Sequence, residues 1–469
     1  MAITPLPTPP LRSDDPVTFA SRADALLSAL PAFVTEVNAL GIDQAGTYAA
    51  NAAASAASAA AAANFAGEWG GLVGDLAVPA SVEHSDRLWL LLNDLADVTA
   101  SEPGVTADWQ VLPSLPYVTS RTSNTILARA DFGTILQVSG ATWTQTLTAA
   151  ATLGNGWWCI VKNTGAAHIV VDPDGAELID GVATCVINPL EERLIVCTGT
   201  AFITTVLKPF YMEFTADGTF TKPLSGYSRI GGALWGGGGS GAVNVATSTA
   251  GGAGGGGGGA CVSFQFALAD AGATAAVVVG AGGAAAVRTT NGQTAGNAGG
   301  NSTIGLTAKT ITAYGAAGGT ANATTGSVTG GGGGGWLSAG NTAAGGSPTN
   351  VGDVNSHCGG GKGADGSSGA GSSAFGGAGG SAQGFAAGSS SYGGGGGGSS
   401  ATPALQLLAA GTSIFGGNGG AAAGAASGVV AATAGAVPGG GGGGVSNHSE
   451  TSTTSGAGGN GLCILWGIV

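Results

Sequence analysis

Gly393-Gly-Gly-Gly-Gly-Gly398 is one of four six-glycine runs in this sequence; the others begin at Gly254, Gly330 and Gly439, with a shorter run over 236–239. Glycine without side chains adopts the extended helix of three residues per turn, rising about 3.1 Å per residue, so six residues span on the order of 19 Å. That helix has no internal hydrogen bonds, so its N–H and C=O groups must find partners on neighbouring rods. A Cβ inside such an array would hold two rods apart. This accounts for the purity of the runs and for the Ala, Ser and Asn gathered at their margins. Start-to-start spacings of 76, 63 and 46 exclude a fixed-period solenoid. They predict similar rods joined by loops of unequal length.

Composition narrows the alternatives. Glycine supplies 93 of 469 residues and charged residues only 8%, whereas disordered chains are charge-rich and poor in apolar residues. Strand-like inserts such as Val262-Ser-Phe-Gln-Phe266 and the closing Leu462-Cys-Ile-Leu-Trp466 also argue for an ordered domain over silk-like disorder. A collagen period with proline is missing, and a calcium-binding repeat roll would need an aspartate in each unit. From Gly231 onward only three basic and four acidic residues occur, so the net charge of −13 lies almost wholly upstream. No basic patch exists, which argues against nucleic acid as a partner. Six scattered cysteines without a CxxC pair read as free thiols rather than a disulfide framework.

Upstream, residues 1–66 read as an extended proline-bearing arm followed by helix. Phe19, Ala23, Leu26, Leu30, Phe33, Val37 and Leu40 fall on a seam stepping by fours and threes, which predicts a short coiled coil stopped at Gly41. Pro31 conflicts with that helix. A second, alanine-rich helical segment follows from Gln44, and both make most sense in a homotrimer. Residues 67–115 suggest an apolar collar around Leu88-Trp89-Leu90-Leu91-Leu92, Trp69 and Trp109. Residues 116–206 switch to short β-branched runs separated by turns such as Asp172-Pro-Asp-Gly175, a small all-β domain. Residues 207–469 form the glycine-rich domain. The fold class expected is thus mixed, mainly β and irregular, with a helical coiled-coil stalk, a small β domain and a polyglycine lattice in an elongated homotrimer. The opening has no charged n-region or apolar core, and the alanine run over 49–63 is too weakly apolar to span a membrane.

Chemistry is sparse in the glycine half. Its four acids form no carboxylate pair of the kind glycoside hydrolysis needs. Gly359-Gly-Gly-Lys362-Gly363 lacks the Ser or Thr that follows lysine in a phosphate loop. The expectation is a protein that is not an enzyme and holds no cofactor or metal. The large side chains the rods cannot carry, Trp336, His357, Phe375, Phe385, Tyr392 and Phe415, sit amid Ser, Thr and Asn. They are the candidate receptor-binding residues, placed in loops between rods, because aromatic anchors with short polar neighbours make adaptable binding surfaces.

Three stretches carry a family resemblance. The opening Met1-Ala-Ile-Thr-Pro-Leu-Pro-Thr-Pro-Pro10, the Phe19–Leu40 helix and the alanine-rich stretch resemble the virion-attaching end of tailed-bacteriophage tail fibre proteins. The β module resembles domains that recur along such fibres. Phe214-Thr-Ala-Asp-Gly-Thr-Phe-Thr-Lys-Pro223, Leu234-Trp-Gly-Gly-Gly-Gly239 and the closing apolar strand are similar to the glycine-rich domain that ends many of them. The resemblance implies a virion protein assembled in the host cytoplasm, anchored to the tail or baseplate by its N-terminus. Its glycine-rich tip would then meet a host outer-membrane protein or surface glycan. The rival expectation is a purely structural spacer whose tip docks a separate adhesin.

Overall fold

The computed structural model describes residues 4–469 except 86, 113–116, 247–250, 323–327, 343, 347–354, 357, 366, 402–405 and 450. It falls into two compact units, Met1–Leu115 with Ala128–Phe132, and Pro116–Leu127 with Gly133–Val469.

In the first unit one helix, Pro16–Ala63, runs 48 residues without a break. Asp15 caps it, its carboxylate accepting from the N–H groups of Val17 and Thr18. Pro31 lies inside and Gly41 does not stop it: alanine, which dominates the second half, has the highest helix propensity of any residue, enough to outweigh one lost bond and one glycine. Phe19, Leu30 and Val37 of the expected seam are exposed, Leu26 and Phe33 are half-buried, and the Leu40 side chain lies outside the described residues. No second helix meets that seam among the described residues. The fold class is therefore corrected in its helical coiled-coil stalk: the chain is mainly β, built of many small sheets. The only other α-helix described is the single turn Ala150–Leu153. The segment expected as an apolar collar is itself a four-stranded sheet, Phe65–Glu68, Ser81–His84, Arg87–Leu91 and Trp109–Val111 in that order. Val82, Trp89, Leu91 and Trp109 fill its core, and the Trp109 indole N–H donates to the Ser101 carbonyl at 2.8 Å.

The second unit begins with a β domain. Its larger sheet has the order Phe202–Lys208, Glu192–Cys197, Trp158–Asn163, Thr134–Val138, Tyr117–Arg121. Strict inside–outside alternation in Thr134–Val138 and Trp158–Asn163 shows period-two patterning fixing which face is buried. The chain then enters the glycine-rich region through two four-stranded sheets that share one core. The first has the order Tyr211–Phe214, Leu462–Ile468, Arg229–Trp235, Cys261–Ala267, so the C-terminal strand is an inner strand of the entry sheet. The second runs Gly218–Thr221, Thr274–Val278, Ser302–Gly305, Thr310–Ala313. Phe210, Phe220, Ile230, Leu234, Phe266 and Leu465 are buried between them.

Glycine rods lead away from these sheets and return. They lie side by side, bonded sideways rather than along themselves: the Gly239 N–H donates to the Gly257 carbonyl at 2.9 Å, Gly256 to Gly442 at 2.9 Å and Gly442 to Gly239 at 2.8 Å. An ideal Cβ on Gly256 would lie 2.1 Å from the Gly239 oxygen, and one on Gly238 2.1 Å from the Gly440 oxygen. The far ends of the rods are tied by short sheets, one of them placing Val243–Val245 between Gly292–Thr294 and Val445–Asn447.

Candidate functional site

Four of the six residues picked from sequence come together, in the bends that join the rods at the end of the lattice beside the entry sheet. Trp336 meets Phe375 edge to face with centroids 5.8 Å apart. Phe375 stacks on Tyr392 at 4.7 Å with planes 5° apart, and Tyr392 stacks on Phe415 at 4.8 Å and 15°. These separations equal the spacing of neighbouring β-strands, about 4.7–4.9 Å. The cause is register. Ser373, Ser390 and Ser413 bridge one another in parallel, and in each segment the aromatic residue follows its serine by two positions. With the serines in register and the same two-residue offset in each segment, the rings stack as rungs of a ladder.

Each rung is locked the same way. The Ser390 hydroxyl donates to the Gly376 carbonyl at 2.9 Å, and Ser413 to Gly393 at 2.7 Å; in both, the acceptor is the glycine just after the preceding ring. Ser373 donates likewise to Gly359, the glycine after Cys358. The Tyr392 N–H donates to the Ala374 carbonyl and the Phe415 N–H to the Ser391 carbonyl. A repeat of Ser, any residue, a large or soft side chain and Gly-Gly thus recurs at Cys358, Phe375, Tyr392 and Phe415. Its spacings of 17, 17 and 23 hid it from a search for a fixed period, yet serine two before and glycine pair after were legible signals.

The ladder borders an apolar cavity of about 550 Å³ whose other wall is the outward face of the entry sheet, within the usual range of ligand pockets. Ala233, Ser263 and Ile464 line it, with Tyr211 and Trp466. None of these five belonged to the sequence-based set, although the alternation of the strands that carry them placed them on one face. Trp235 anchors the ladder to the sheet through its indole N–H, which donates to the Tyr392 carbonyl at 2.6 Å, and the Trp336 indole does the same to the Cys261 carbonyl at 2.9 Å. Burial, with Glu213 second, pushes the Tyr211 hydroxyl above its ordinary range, so it stays a neutral donor at physiological pH. Rigid rings, a few hydroxyls and no ionised side chain lining the cavity make this a surface for apolar and stacking contacts rather than for acid–base chemistry.

Exposure is greatest at the Phe415 end: Phe375 is half-buried, Trp336 is 36% exposed, Tyr392 38% and Phe415 57%. Phe385 stands apart, packed on the small cluster of Val328, Ala364 and Ala382. His357 lies outside the described residues.

A search of curated proteins returns no match. Residues 215–466, from the entry strands to the closing strand, match the model of the glycine-rich domain family. That match covers more than half of the sequence, and the chain belongs to the glycine-rich domain family.

Proposed function

We propose that this chain is a tail fibre protein of a tailed bacteriophage, attached to the virion through its N-terminal region, whose glycine-rich domain binds a receptor on the host surface. The observation that carries the receptor-binding half is the ladder itself. Trp336, Tyr392 and Phe415 remain exposed on a scaffold that buries aromatic rings readily elsewhere, beside an apolar cavity. Contiguous exposed apolar surface on a rigid support marks an interaction site, and aromatic anchors supply most of the energy of such contacts. The glycine lattice contributes rigidity: its rods hold the rungs in register without side chains of their own. Attachment to a virion rests on the tail-fibre resemblance of the N-terminal segment.

The test is adsorption. Dye-labelled full chain is incubated with a panel of bacterial strains and binding is measured by flow cytometry. Saturable binding to at least one strain, competed by unlabelled chain, is expected. A folded chain that binds no strain in a broad panel contradicts receptor binding and leaves the spacer role.

A further inference from the structure

The ladder has two ends, and only one is closed. Beyond Phe375 it is capped by the Trp336 ring. At the other end Phe415 has a 57% exposed side chain and its neighbour Ile414 is 75% exposed. Within the ladder, the carbonyl of the residue before each ring accepts the N–H of the next ring's residue: Ala374 from Tyr392 at 2.8 Å, Ser391 from Phe415 at 2.9 Å. Ile414 is the next carbonyl in that series, and among the described residues no backbone N–H meets it. The Ser413 N–H, by contrast, is already held by the Asn418 side chain at 2.7 Å. The edge is thus closed to further donation but still open to acceptance.

The sequence supplies no fifth rung. The step from Tyr392 to Phe415 is 23 residues, and 23 further stands Pro438, in Ala436-Val437-Pro438-Gly439-Gly440. Proline has no N–H, and this segment has neither the serine nor the ring.

We propose that the open end of the ladder takes an aromatic residue of an extended peptide segment from a protein receptor, which adds as a fifth rung. This inference rests on reading the ladder as the recognition surface and names its partner. One aromatic amino acid carries both elements the end lacks, a ring to stack on Phe415 and a backbone N–H to reach the Ile414 carbonyl, at the offset the chain uses twice. A sugar ring would cover Phe415 but brings no N–H at that fixed offset. Strand addition of this kind draws affinity from main-chain bonds and specificity from side-chain pockets. Here the adjoining cavity, with Tyr211 and Trp466 on its far wall, receives the flanking side chains.

The experiment titrates full chain into dye-labelled acetyl-Ser-Ala-Phe-Gly-Gly-amide, a copy of rung residues 373–377, and follows anisotropy. Saturable binding is expected, weakened about fivefold by methylating the Phe nitrogen, which removes one hydrogen bond worth on the order of 1 kcal/mol. Phe415→Ala should weaken it as much or more, and Phe385→Ala not at all. Absence of saturable binding, or indifference to the N-methyl group, overturns the proposal. So does Phe415-dependent binding of chitooligosaccharide without peptide binding, which would make the partner a glycan. Cell binding that survives while the peptide fails sinks the fifth rung and leaves receptor binding standing. Peptide binding at Phe415 with no bound strain does the reverse.

Discussion

Tyr392 and Phe415, 23 residues apart in sequence, stack at 4.8 Å because Ser390 and Ser413, two positions before them, pair in parallel. Among the described residues Tyr392 is the only ring stacked face to face on both sides, so Tyr392→Ala removes two stacking contacts. With about 0.5–1.5 kcal/mol per aromatic pair, a loss of roughly 1–3 kcal/mol is expected, seen as a lowered thermal transition. Phe415→Ala, at the open end, removes one contact and should cost about half as much. Equal effects would show that the stack adds nothing beyond burial.

The lattice predicts a sharp contrast between glycines. Gly256→Ala drives a methyl to within 2.1 Å of the Gly239 oxygen, and neither rod can retreat without breaking its other bonds. Insoluble or unfolded protein is the expected outcome. Gly305→Ala, whose Cβ would meet nothing closer than the Ala276 oxygen at 3.9 Å, should leave the stability within about 0.5 kcal/mol of the parent. A soluble, unshifted Gly256→Ala would refute the close approach of the rods.

These glycines and the strand periods were the legible part of the fold. Trp466 and Tyr211, by contrast, face the ladder through strands more than 200 residues apart in sequence. No local pattern reports such pairing, because register across long loops is decided by the folded sheet. The helix was misread for the opposite reason. Pro31 and Gly41 are local breakers, and a long run of strong helix formers overrode them. The rungs escaped notice because unequal return loops disguise a repeat whose defining feature is the offset of serine, ring and glycine pair.

Arg193 and Glu191 form a fully buried ion pair in the β domain. Arg193 also donates to the Ser225 carbonyl at 2.8 Å and to the Thr204 hydroxyl at 3.2 Å, with the Tyr227 ring 5.3 Å away. These contacts tie the β domain to the segment leading into the entry sheet. Arg193→Met leaves Glu191 buried without its partner and should cost about 3–5 kcal/mol, read as an earlier urea transition. Replacing both residues, Arg193→Met with Glu191→Leu, should recover much of that loss. A double variant no better than the single would show that the pair is not the source of the cost.

Buried thiols make stability depend on alkaline pH. Burial pushes Cys185, Cys261 and Cys463 up to about 12, whereas an unfolded chain releases those protons near about pH 8.5. The folded-state values are raised, so the stabilisation is complete below about pH 8.5 and is lost as pH rises from there towards 12. Each thiol contributes at most about 1.4 kcal/mol per pH unit in that window. Thermal melts at pH 7 and pH 8 should coincide and those above pH 9 should fall. Iodoacetamide at pH 8 should label native protein once, at half-buried Cys358, because the other five thiols are buried. Rapid labelling of Cys261 or Cys463 in the native state would contradict the packed entry sheet.

On the proposed function, recognition belongs to the aromatic ladder beside the entry sheet and not to the loops at the far ends of the rods. The direct measurement compares cell binding of Tyr392→Ala/Phe415→Ala with that of Leu407→Ser/Val429→Ser, which alters two exposed apolar residues away from the ladder. Both proteins must first give the parent's circular dichroism. The ladder variant is expected to lose binding at least tenfold and the far-end variant to match the parent. Full binding by the ladder variant, with loss in the far-end variant, would contradict the account.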